Sequence, residues 1–162
     1  MDFFNKQKDF DFVAIGDIVT DAFIRIKDAK VHCDPDGKKC ELSIRFGDKV
    51  PYESVEEIRA VGNAANAAVA ATRLGLNTAF VNNLGDDHQG AECIATLKNN
   101  KVATDFVTVH KDKKTNYHYV LWFEEERTIL IKHEEYDYKL PDIGNPKWIY
   151  LSSLAENSLT YH

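Results

Sequence analysis

The chain has 162 residues, enough for one domain with a real core, and its 44% apolar and 28% charged residues match a soluble globular protein. Its net charge of −6, from 20 Lys and Arg against 26 Asp and Glu, argues against a nucleic-acid or anionic-membrane surface, since both need clustered cations. No apolar run approaches a membrane span, the opening "MDFFNKQKDFDF" has no apolar leader core, and the three cysteines are sparse and odd in number, so a reducing, cytoplasmic setting is expected.

In chain order, "FDFVAIGD" is an apolar run that ends at Gly16, the pattern of a buried strand feeding a loop. "AFIRIKDAKVHC" and "CELSIRFGDKV" alternate around the turn "DPDG" and read as an antiparallel hairpin with one wet face. Gly37 suits the left-handed position of a type I turn there. With a bulge, that turn pairs 34 with 38 and leaves Cys33 offset from Cys40, whereas a four-residue loop brings them nearer. Free thiols are the expected state. "SVEEI" reads as a helical turn or loop.

The next segment, "AVGNAANAAVAATRLG", reads as a helix with Ala67, Ala70, Ala71 and Leu74 on one face and Gly75 as its stop. "TAFVNNLG" is a strand, and Asp86 or Asp87 caps a helix over "HQGAECIATLKNN". "ATDFVTVH" is another strand. "NYHYVLWF" and "RTILIKH" flank the acidic turn "EEE" as a second hairpin, "KWIYLSS" is a late buried strand, and "ENSLTYH" begins a helix. Strands separated by helices imply a parallel sheet with helical crossovers, and the two hairpins imply a separate small sheet beside it. Ligands of such sheets bind beyond the carboxyl ends of the strands, where Gly16-Asp17, Gly85-Asp86-Asp87 and Ser152-Ser153 fall.

Gly62-Asn63-Ala64-Ala65-Asn66 stands out chemically. A glycine before a helix lets a ligand approach the backbone, and the helix N-terminus offers N–H groups and partial positive charge. An amide one turn in donates and accepts, which suits a polyol hydroxyl. The same residues also read as an N-cap with small side chains for tight packing. Asp21 reads either as an acceptor for two sugar hydroxyls or as an exposed loop acid. Gly85-Asp86-Asp87 reads as a helix-capping turn in preference to a metal site. His118 and His133 read as polar strand residues, and Tyr117, Tyr119, Leu121 and Phe123 as a packing stripe or an oligomer face. No phosphate-loop or dinucleotide pattern is present.

Taken together, "VAIGDIVTDAFI", "VGNAANAAVAATRLG", "NNLGDDHQG" and "KKTNYHYVLWFEEERTILI", in that order, resemble the ribokinase-like, or PfkB, family of carbohydrate and nucleoside kinases. The resemblance implies a central α/β sheet with helices in three layers and a β-sheet lid, here from hairpins near 22–50 and 116–133. It implies ATP-dependent phosphoryl transfer, with Mg2+, to a sugar or nucleoside hydroxyl. Asp21, Gly62 and Asn66 then bind substrate, with Asn63 beside them and Ser153 a looser match. The lid of such kinases often forms a homodimer interface.

Two departures qualify this. Val61 stands where the family signature usually has its first glycine. The family's Gly-Ala-Gly-Asp, an anion hole at a helix N-terminus followed by the catalytic Asp, is not among these residues, and "AIGD" comes too early in the fold to replace it. Members run to about twice a typical single-domain length, with the catalytic half C-terminal. The expectation is therefore the substrate-and-lid portion of one domain, without the ATP-binding half, without a catalytic residue or metal ligand of its own, and inactive alone. The alternative is a non-catalytic sugar- or nucleoside-binding or dimerisation module.

Overall fold

The computed structural model describes residues 9–152 and 158. It divides into two units: Met1–Thr20, Arg59–Asn116 and His133–His162 form the first, and Asp21–Ile58 with Tyr117–Lys132 the second.

In the first unit, β1 (Phe12–Ile15), β6 (Thr78–Gly85), β7 (Val107–His110) and β10 (Trp148–Leu151) form a sheet in the order β10-β1-β6-β7. Every pairing in it is parallel. All eight residues of β6 are buried, as befits a strand with a partner on each side. Alternation along the strands separates two cores. Ala14, Phe80 and Leu84 meet the helices α1 (Asn63–Arg73) and α2 (His88–Asn99) through Ala64, Ala65, Ala68, Cys93 and Leu97. Val13, Ile15, Ala79 and Val81 pack with Phe10 on the other face, against Phe106, Tyr138 and Ile143. The strand β10 lies at the sheet edge, and all four of its residues are exposed.

The helix α1 buries Ala64, Ala65, Ala68 and Ala71 and leaves Ala70 and Leu74 in solvent, so its buried face is not the expected one. An alanine run carries no large side chain to fix the phase of the stripe, and contact with Phe80 decides it. The helix ends as the glycine predicts. Gly75 has φ 94°, its N–H donates to the Thr72 carbonyl, and the Leu76 N–H donates to that of Ala71.

In the second unit, β8 (Tyr117–Phe123) and β9 (Glu126–Leu130) are antiparallel, within a sheet ordered β5-β2-β8-β9 that includes β2 (Val19–Ile26) and β5 (Tyr52–Val61). The "SVEEI" segment is thus strand, not helical turn: Tyr52, Val55, Ile58 and Val61 are strand formers, and pairing in the sheet outweighs the local helical preference of Glu56-Glu57. The first hairpin is shorter than expected, β3 (Lys30–Cys33) with β4 (Cys40–Ser43).

Cys33 and Cys40 lie directly opposite and form a disulfide, against the expectation of free thiols. The loop explains it. The Asp34 N–H donates to the Lys39 carbonyl and the Lys39 N–H to Asp34 Oδ1, each at 2.9 Å, which closes a four-residue loop and removes the offset that a bulge would impose. Cys93 is free and buried. No helix among the described residues is long and apolar enough to cross a membrane.

Candidate functional site

The carboxyl end of β1 delivers Gly16 and Asp17. Gly62 comes within reach of the same turn: a Cβ added to it would stand 2.9 Å from the Asp17 carbonyl oxygen, and its φ is 118°. Both facts require glycine. Gly62 is the N-cap of α1 and gives no side-chain cap, the Asn66 N–H donates to its carbonyl at 2.9 Å, and no acid occupies the first helical turn. The positive end of the helix dipole is therefore not neutralised by a carboxylate. Asn63 and Asn66 lie three apart on the exposed side of this first turn, away from the buried alanines. The structure brings Gly62, Asn63 and Asn66 together.

Asp17, expected at a ligand-facing strand end, is given no role of its own by the sequence. Its side chain is 10% exposed, and its Oδ2 lies 3.2 Å from His133 Nδ1. Burial holds the Asp17 carboxyl above its usual range, and the neighbouring His133 offsets part of that. Elsewhere in the first unit, Asn83 Oδ1 and His110 Nε2 are 2.8 Å apart, and the His110 ring stacks on Tyr136 at 4.9 Å. The Tyr136 hydroxyl donates to the Lys114 carbonyl at 2.6 Å, and burial pushes its phenol far up. Burial likewise lowers the His110 imidazole. Nothing in the spacing of these residues marks them as neighbours.

Gly85-Asp86-Asp87 is a capping turn. Asp87 Oδ1 accepts from the Gly90 N–H at 2.9 Å and from the Thr115 hydroxyl at 2.7 Å, and its Oδ2 accepts from the Thr115 N–H at 3.0 Å. Burial raises the Asp87 carboxyl, but these donors outweigh it and hold the group below its usual range. Its lone pairs are committed to protein donors. Among the described residues no group of three His, Cys, Asp or Glu side chains is placed to hold a metal ion.

In the second unit, Asp21 lies on β2, so it is a half-buried strand residue and not a loop acid. Its Oδ1 lies 3.4 Å from His118 Nδ1 on β8. Burial raises the Asp21 carboxyl, while His118 and then Arg127 pull it back. On the same unit the Tyr117 hydroxyl donates to Glu57 at 2.7 Å and packs edge-on to Tyr119 at 5.2 Å, as the alternating stripe predicts. Arg25 pairs with Glu53 at 3.2 Å and covers the Trp122 ring at 4.7 Å. Ser153 lies outside the described residues, as does the segment "ENSLTYH" except Ser158.

Comparison with known proteins agrees with this architecture. The signature of the pfkB family carbohydrate kinases matches residues 28–160. The chain is 34% identical to the ribokinase of Bacillus subtilis over 70 residues, 43% of this chain and 24% of that protein. It is 42% identical to the fructokinase of Solanum tuberosum over 80 residues, 46% of this chain and 25% of that one. It thus spans about a quarter of the length of the curated relatives it matches. Among solved structures, the Arabidopsis thaliana ribokinase complexed with ribose and ATP superposes with a TM-score of 0.60 at 21% identity, over 77% of this chain and 36% of that one. The nucleoside kinase of Methanocaldococcus jannaschii gives 0.60 at 14% identity, over 76% and 37%. These two show the fold alone. With a parallel sheet flanked by α1 and α2, an antiparallel strand pair, and a family signature over most of its length, the chain belongs to the pfkB family of carbohydrate kinases.

Proposed function

We propose that this chain supplies the substrate-binding and lid portion of a kinase that phosphorylates a hydroxyl of a sugar or nucleoside. One observation carries the reading: Asn63 and Asn66 are exposed on the first turn of α1, behind a glycine that backbone proximity alone already demands. Asparagine is only a mid-ranking helix former, and its amide, exposed at the mouth of a parallel sheet, suits hydroxyl recognition. Asp21 and Ser153 are part of the same proposal on the strength of the family pattern, with the carboxylate of Asp21 as the hydroxyl acceptor. Ribose and fructose are the first candidates, because relatives are a ribokinase and a fructokinase.

ATP and Mg2+ serve the whole kinase in this reading, and the described residues do not fit the nucleotide. The N-terminus of α2 is filled by the Asp87 carboxylate, which excludes a phosphate there. That of α1 has the amides of Asn63 and Asn66 beside it and no cation in its first turn. The chain alone is therefore proposed to bind a sugar without transferring phosphate to it. A cytoplasmic setting belongs to the proposal too, and the Cys33–Cys40 disulfide is the observation that stands against it.

A thermal-shift series with D-ribose, D-fructose and adenosine, followed by an ATP-dependent phosphorylation assay, tests this. The expected outcome is stabilisation by one of the three, weakened by Asn66→Ala, with no ADP formed. Turnover by the chain alone sinks the division of labour, and silence toward all three sinks the substrate class.

A second reading has its own observation. Tyr119 and Leu130, directly opposite each other and so on one face of the β8–β9 pair, are 49% and 50% exposed. A dimerisation module would cover such a face. Light scattering that gives a monomer at all concentrations removes it.

A further inference from the structure

The acid assigned to substrate has a partner that no motif announced. Asp21 on β2 and His118 on β8 lie on strands that are neighbours in one sheet. Oδ1 and Nδ1 are 3.4 Å apart, with side chains 21% and 13% exposed. A carboxylate taken that far from water needs a compensating charge or donor. The charged groups that face it are His118 and, from β9, Arg127. Arg25, the cation on its own strand, is engaged with Glu53 and the Trp122 ring. With Asp21 ionised, Nδ1 is the ring nitrogen that must carry the proton toward it, which fixes the tautomer and orients the carboxylate. Oδ2 is then the oxygen left to accept from a substrate hydroxyl.

We propose that His118 is the positioning residue for Asp21, keeping the carboxylate ionised and aimed so that it accepts a hydroxyl of the sugar. This rests on the reading of Asp21 as a substrate residue. It goes beyond that reading in assigning a role to a lid-strand imidazole and in tying sugar affinity to proton concentration. The group is an aid to recognition and not a base, since its near nitrogen is turned to Asp21.

The test uses the full chain, with His118→Ala and His118→Gln checked for folding by circular dichroism. Carboxyl carbon NMR follows the Asp21 titration, and calorimetry with D-ribose and D-fructose follows affinity from about pH 5.5 to about pH 8. Without His118 the Asp21 carboxyl titrates higher, because a stabilising neighbour is gone. His118→Ala then binds roughly tenfold more weakly near neutral pH, as fits a lost charge-assisted partner. His118→Gln, which donates but does not charge, recovers most of that near neutral pH. It falls behind the wild type in acid as its Asp21 protonates. An Asp21 titration unmoved by His118→Ala overturns the pairing. A moved titration with unchanged sugar affinity overturns the role in recognition. If the wild type binds neither sugar while the titration still moves, the pairing stands and the proposed function fails, taking the recognition role with it.

Discussion

β6 and the β3–β4 hairpin are both short stretches of extended chain, and they are held by opposite means. Every residue of β6 is buried, with neighbours on both edges and cores on both faces. Every residue of β3 is exposed, and its one lateral neighbour is β4, to which a disulfide and the 34–39 loop bind it. The first is stabilised by removal of apolar area from water, which is cooperative and global. The second is stabilised by a covalent link and local turn chemistry, which is private to the hairpin. Damage should therefore spread from one and stay confined in the other.

Phe80→Ala is the strongest test of that contrast. Phe80 is fully buried at the centre of the cluster shared with both helices. Its truncation should cost about 3–5 kcal/mol, enough to unfold the first unit at moderate temperature, read as a fall in the denaturant midpoint. Reduction, or Cys33→Ser with Cys40→Ser, should release up to about 2.5 kcal/mol of loop-closure stabilisation for a separation of 7 residues. Hydrogen exchange should rise over residues 30–43 and leave β6 protected. Loss of protection at β6 on reduction would collapse the distinction.

Two carboxylates sharpen it further, with opposite signs. The Asp87 carboxyl is held low, so its contribution is present above the unfolded value of about 3.9 and is lost as pH falls through the folded one. Asp87→Ala should cost about 1–2 kcal/mol near neutral pH and progressively less in acid. The Asp17 carboxyl is held high, so the stability it gives is complete below the unfolded value and is lost as pH rises through the folded one. Asp17→Asn should therefore stabilise the protein near neutral pH, read as a rise in melting temperature, with the gain vanishing in acid. A destabilised Asp17→Asn would mean that the His133 contact outweighs burial.

The parts legible in the sequence are those in which local chemistry and long-range packing agree. "FVAI" and "TAFVNNLG" are apolar runs and became the buried strands β1 and β6, and Gly75 ended α1 where a left-handed residue was needed. Asp87 capped α2 because a short acid before an amphipathic run has little else to do. The misreadings share a cause. The phase of α1 and the strand character of residues 54–58 depend on neighbours distant in the chain, which period alone does not supply. For Cys33 and Cys40 a single residue of loop length decided between offset and opposition. Of the candidate site, the glycine and amides of α1 were readable as a motif. The imidazoles were not, since His133 meets Asp17 and His118 meets Asp21 only through the return of β8 and β9.

The approach of Gly62 to the Asp17 carbonyl bears on how variation at this position is to be understood. Any side chain there presses on main-chain atoms, which have nowhere to rotate, and the backbone angle excludes it a second time. Alleles or library variants that change Gly62 should be depleted by a screen for folding alone, before any sugar is offered. A glycine retained at 62 thus carries little information about ligands. The more informative position is Asn66, exposed on the first turn of α1, where a change of side chain meets no such backbone barrier and selection against it would report the chemistry more directly.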